Sequence, residues 1–263
     1  MTGESVRARA EEAERFLGAA REIVEEAERR SIVLRLLGSL AYRVRCPVNA
    51  HLLDEMQRVL TDLDFASERR YAKEIDAFLH ELGYIPDLEI ATATGGERYF
   101  FKHPETALGV DVFMDKLDYC HPIPFKGRLT LDARTIPLAE LLLEKMQIVE
   151  INPKDIKDSL VLLLEHTVDS AGAETIDGPY IAALLSGDWG FYYTVTRNLE
   201  KLRHHVADYG ALDAGQWEIV SRRISELEKL IEEEPKTRGW KIRARIGPRV
   251  KWYQDVAEKS ATF

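Results

Sequence analysis

Asp62 and Asp64 flank Leu63 within the apolar run 61–65. In a strand, residues i and i+2 share a face, so both carboxylates aim at one spot and suit a hard divalent cation. Upstream, Leu36-Leu37 runs into Gly38-Ser39. A Gly-Ser turn opening a helix offers backbone N–H groups and a hydroxyl to a phosphate. A third acid, Asp111, sits between Val110 and Val112, where a charge is seldom buried without a partner or a metal. Carboxylates converging on a cation are the equipment of phosphoryl and nucleotidyl transfer. Two solvent-facing aspartates on an edge strand would give the same Asp-x-Asp, and Asp111 weighs against that alternative.

Other chemistries find less support. A Ser–His–Asp hydrolase needs its serine on a sharp strand-to-helix elbow, and Ser39 has Gly38 before it but no glycine two residues on. His103, His121, His166, His204 and His205 show no zinc-ligand spacing with cysteines or acids. Cys46 and Cys120 are too few for a disulfide scaffold.

Holding these groups in place calls for an α+β framework. Apolar residues recur at helical spacing over 4–30, and 31–37 is a short apolar strand that Gly38 ends. Helical patterns follow at 39–43, 51–60 and 68–82, with Gly83 as a C-cap. The second strand is 61–66. From 88 to 113 the pattern is strand-like: 88–90 alternates, Gly95-Gly96 turns, 99–101 resumes, and 108–114 carries Asp111. Residues 128–131 and 135–136 read as a short β pair. Pro137 opens a helix to about 149 and Pro153 another to 166. Beyond the Ser-, Gly- and Ala-rich stretch at 167–178, helices are expected at 178–186, 190–208 and 215–234.

With Gly38-Ser39, Arg58, Asp62-Leu63-Asp64-Phe65 and Asp111 in that order, then 138–145 ending in Lys145 and Lys154-Asp155-Ile156-Lys157-Asp158, the chain resembles the nucleotidyltransferase superfamily. That superfamily has the DNA polymerase β-like fold, and the closer likeness is to the AbiEii-type group, which includes toxins of toxin–antitoxin pairs. The resemblance spans about 30–165. It implies a nucleotidyltransferase-fold mixed sheet flanked by helices (31–168), preceded by an N-terminal helix (1–30) and followed by an α-helical C-terminal domain (175–263). It also implies that Asp62, Asp64 and Asp111 hold Mg²⁺ (or Mn²⁺), with Asp111 as an alternative general base. Gly38, Ser39 and Arg58 would contact the nucleotide, Lys145 would neutralise the triphosphate, and Asp158, more than Asp155, would position Lys145. Gly38 and Asp62 are 24 residues apart, a longer separation than in minimal members of the superfamily, and the helix expected at 51–60 fills it.

The 263-residue chain carries a formal net charge of −9, which argues against nonspecific coating of nucleic acid. Residues 236–251 run against that balance: they hold seven Lys and Arg and no acid, with Trp240 inside and Trp252 just beyond. Such a segment, read as a loop or hairpin, suits a phosphate-rich partner or pairs with the acidic helix before it. The densely charged residues 1–30 and the lack of an 18-residue apolar span lead us to expect a cytoplasmic protein without a membrane partner. The expected activity is transfer of a nucleoside monophosphate from an NTP to a hydroxyl or phosphate. A tRNA 3′ end or a small molecule would be the acceptor, and an antitoxin protein a further partner. The alternative is a degenerate domain that binds nucleotide or a protein partner without turnover.

Overall fold

Leu63 and Phe65 are fully buried, while Asp62 and Asp64 on the opposite face stay partly open. That alternation fixes which face of the strand bears the acids. The computed structural model describes residues 3–170, 172–205 and 212–255. Its elements begin with α1 (Gly3–Arg29), β1 (Leu34–Leu37), α2 (Gly38–Arg45), α3 (Ala50–Glu55) and β2 (Asp62–Ser67). They continue through α4 (Ala72–Glu81), β3 (Ile85–Asp87), α5 (Leu88–Ala93), β4 (Arg98–Lys102) and β5 (Gly109–Met114). Next come β6 (Lys116–Asp118), β7 (Pro122–Pro124), α6 (Leu138–Met146), α7 (Pro153–Glu165), β8 (Thr167–Asp169) and β9 (Thr175–Asp177). Four helices follow: α8 (Gly178–Gly187), α9 (Trp189–His205), α10 (Ala214–Glu233) and α11 (Arg238–Ile246).

The main sheet is mixed, in the order β1-β2-β5-β4-β3, with β2 and β5 parallel and its other pairs antiparallel. Every residue of β5 is buried, as expected of a central strand covered on both sides. Helix α6 is likewise buried at all nine positions, so its charged residues must find partners inside the protein.

The structure departs from the sequence reading in several places. The helix expected at 51–60 ends at Glu55, with Gln57 at φ +60° just beyond. Residues 88–90 are helical, because Asp87 caps α5 by accepting from the Glu89 and Ile90 amides and three alternating residues are too few to hold a strand. Residues 128–131 form turns, and Thr135 makes a single parallel bridge to Leu36. Asp132 accepts from the Arg134 and Thr135 amides and bends the chain there. Within the basic segment, 238–246 is helix α11, started by Thr237 accepting from the Trp240 amide. The boundary expected at 167–178 holds the parallel pair β8–β9, and one buried apolar cluster runs continuously from Ala13 to Ile231. The last part of the helix expected at 190–208, residues 206–208, lies outside the described residues, as does the His205 side chain. Among the described residues no helix is long and apolar enough to cross a membrane.

Candidate active site

The parallel register sets Asp64 of β2 directly beside Asp111 of β5, and Asp62 beside Gly109. Room for the aspartates is made by glycines. A Cβ on Gly109 would come within 2.5 Å of Asp62 Oδ1. A Cβ on Gly38 would collide with the Asp64 carboxylate, and Gly38 also has φ +70°, a conformation other residues adopt at a cost. The Gly-Ser turn therefore lets β1 pass into α2 directly over the acidic face.

Helix α6 closes the site from the other side. The Gly38 amide donates to Glu144 Oε2 at 3.1 Å, and Glu144 Oε1 lies 2.8 Å from Lys145 Nζ. Lys145 Nζ is also 3.4 Å from Asp158 Oδ2 and 3.9 Å from Asp155 Oδ1, and it sits 5.2 Å from the centre of the Tyr42 ring. The two aspartates reach it because α7 starts at a fixed point. Asn152 caps the helix in a reciprocal capping box with Asp155, and Pro153 occupies the first turn. Behind them Arg58 grips Asp158 through two 2.9 Å hydrogen bonds.

Burial and the Asp111 and Glu144 carboxylates push the Asp64 carboxyl up to about 7. Burial alone would lower the Lys145 ammonium, but Glu144, Asp158 and Asp155 outweigh it and keep the lysine charged. Gly38, Asp64, Glu144, Lys145 and Asp155 line a cleft of about 660 Å³. Its outer wall comes from far along the chain. The Gln254 amide donates to the Cys120 carbonyl at 3.1 Å, and Trp252 Nε1 donates to Thr194 Oγ1 at 3.0 Å. These two bonds lay Tyr253 and Asp255 along the opening.

No known family, curated protein or solved structure matches this chain.

Of the residues expected at the site, Gly38, Asp64 and Lys145 line the cleft, Asp158 reaches Lys145 from behind, and Asp62 shares the Asp64 face of β2 without lining the cleft. Three are placed otherwise. Ser39 is buried and does not line the cleft. Arg58 pairs with Asp158 and does not line the cleft. Asp111 stands beside Asp64, but both of its oxygens are held by Arg98, with Nε–Oδ1 2.8 Å and Nη2–Oδ2 2.5 Å. Among the described residues no group of three or more His, Cys, Asp or Glu is placed to hold an ion by itself. The Gly38 amide, expected to meet a phosphate, already serves Glu144.

Sequence reasoning gave no role to Glu144, Arg98 or the strap 252–255. The first carried a signal, since Glu144 follows Leu141-Leu142-Leu143 and precedes Lys145 in the helix. Arg98 follows Gly95-Gly96-Glu97 and looks like an ordinary turn residue; only the sheet register shows what it faces.

A divalent cation fits this donor set. Asp62 and Asp64 share a face, and burial together with the neighbouring Asp111 and Glu144 carboxylates raises the Asp64 carboxyl. Mg²⁺ is commonly held by one or two carboxylates together with water and substrate phosphates, without a complete protein cage.

Proposed function

We propose that the protein is a Mg²⁺-dependent nucleotidyltransferase that moves a nucleoside monophosphate from an NTP to a hydroxyl or phosphate acceptor. The observation that carries this is the Asp62–Asp64 pair on β2, with the Asp64 carboxylate under the Gly38 turn and in the same cleft as the buried cation Lys145. Asp62 and Asp64 would hold the metal, which when bound would neutralise triphosphate charge and favour departure of pyrophosphate. Lys145, kept protonated by its carboxylates, adds fixed positive charge to the cleft. Asp158 and Asp155 set its position, and Arg58 sets that of Asp158. Acceptor oxygen attacks the α-phosphorus, the bond from that phosphorus to the β-phosphate's bridging oxygen breaks, and a hydroxyl acceptor gives its proton to water or a cleft carboxylate. The rate would come from orientation and fixed charge.

Incubation with Mg²⁺, α-labelled NTPs and pools of RNA, protein and small-molecule acceptors tests this. Label transfer with pyrophosphate release is expected, and Asp62→Ala and Asp64→Ala should each abolish it. Full activity in both variants would refute the mechanism. A second reading, a nucleotide-binding module without turnover, draws on two contacts: Arg98 engages Asp111, and Glu144 takes the Gly38 amide. Calorimetry showing ATP and Mg²⁺ bound with no pyrophosphate released would favour it.

A further inference from the structure

We infer that this site works with one divalent cation, and that the Arg98 guanidinium permanently supplies the positive charge that a second cation would bring to Asp111. The inference rests on the nucleotidyltransferase reading above and concerns a residue to which that reading gave no part.

Three observations carry it. First, Arg98 is a built-in partner and not a passing surface side chain. On β4 it lies opposite Phe113, while Asp111 lies opposite Phe100, so Arg98 reaches diagonally across the strand pair, within range for a long side chain. Its guanidinium lies 5.3 Å from the centre of the Phe113 ring, and it meets Asp111 with two parallel hydrogen bonds. Second, the acid is enclosed. Asp111 is 1% exposed, while the Arg98 side chain is 19% exposed and is held more firmly protonated than usual by its hydrogen bonds to Asp111. A metal could take Asp111 only by displacing that paired guanidinium. Third, the register sets Asp111 directly beside Asp64, so the fixed charge of Arg98 stands next to the pair that would hold the ion.

Mn²⁺ alone, titrated into the full chain with free Mn²⁺ counted by electron paramagnetic resonance, tests the idea without relying on turnover. The wild type should bind one Mn²⁺, and Asp62→Ala/Asp64→Ala should lose it. Arg98→Met should gain a second Mn²⁺, because the guanidinium that holds both Asp111 oxygens is then gone. In Arg98→Met/Asp111→Leu, which replaces both members of the buried pair, the count should return to one, with affinity changed by less than about tenfold. Two sites in the wild type, or loss of the first site in the double variant, would overturn the inference and leave the proposed activity standing. An Arg98→Met protein that folds, by circular dichroism, yet stays at one Mn²⁺ would overturn it too. If Arg98→Met does not fold, the double variant decides alone. No Mn²⁺ bound by the wild type, or binding indifferent to Asp62 and Asp64, would overturn the metal site of the proposed function, and this inference with it.

Discussion

At the scale of single residues, the site is a set of charges that hold one another in place. Arg58, which the sequence places only four positions before Asp62, turns away from the cleft to lock Asp158, and Asp158 helps hold Lys145. Arg58 and Asp158 are almost fully buried, so removing one partner strands the other's charge. Arg58→Met should therefore cost about 3–5 kcal/mol, whereas Arg58→Met/Asp158→Leu should recover much of that loss. Urea unfolding of the two variants and the wild type checks this, and equal losses in both would contradict it. Asp62-x-Asp64 and Lys145 were legible in the sequence because their meaning lies in strand and helix spacing. Arg58, Glu144 and Arg98 were not, because each is defined by a partner 106, 100 or 13 residues away, as for Gly38–Glu144, Arg58–Asp158 and Arg98–Asp111.

Between elements, the sheet half and the later helices meet through buried polar contacts as well as apolar ones. His121, in the turn between β6 and β7, stacks on Phe191 of α9 at 4.9 Å and shares a 2.8 Å hydrogen bond with Thr194. Burial drives its imidazole down to about 4. The unfolded chain, with an ordinary histidine near 6.5, binds the proton first, so stability is complete above about pH 6.5 and falls as the pH drops toward 4. By pH 5 the loss from this group alone is about 2 kcal/mol. Equilibrium unfolding of His121→Gln across pH 5–8 should show a shallower acid limb than the wild type; parallel curves would remove His121 as the cause. The same junction explains the limits of the sequence reading. Long amphipathic segments such as α4, α7 and α10 announced themselves by periodicity. The helical turn of α5 and the start of α11 depended on the capping side chains Asp87 and Thr237, and a few alternating or basic residues outweighed those in the pattern.

For the molecule as a whole, the cleft is made by widely separated parts of the chain, from Leu37 to Asp255. The strap 252–255 is held by the Trp252–Thr194 and Gln254–Cys120 hydrogen bonds. Trp252→Ala should loosen this wall, raising KM for the nucleotide more than it lowers kcat. Loss of the one hydrogen bond, worth about 1 kcal/mol, should lower Tm by about 2–4 °C. Steady-state labelling and calorimetric melting read the two effects, and a fall in kcat with KM unchanged would show that the strap does not shape the binding wall. The span of the cleft also bears on how the protein is born. During synthesis the strands that carry Asp62, Asp64 and Asp111 leave the ribosome well before the helix that carries Lys145, and residues 252–255 emerge last of the cleft's makers. Through that interval the nascent chain holds an acidic face without its lysine or its outer wall. The acidic face is thus laid down in outline long before its enclosure.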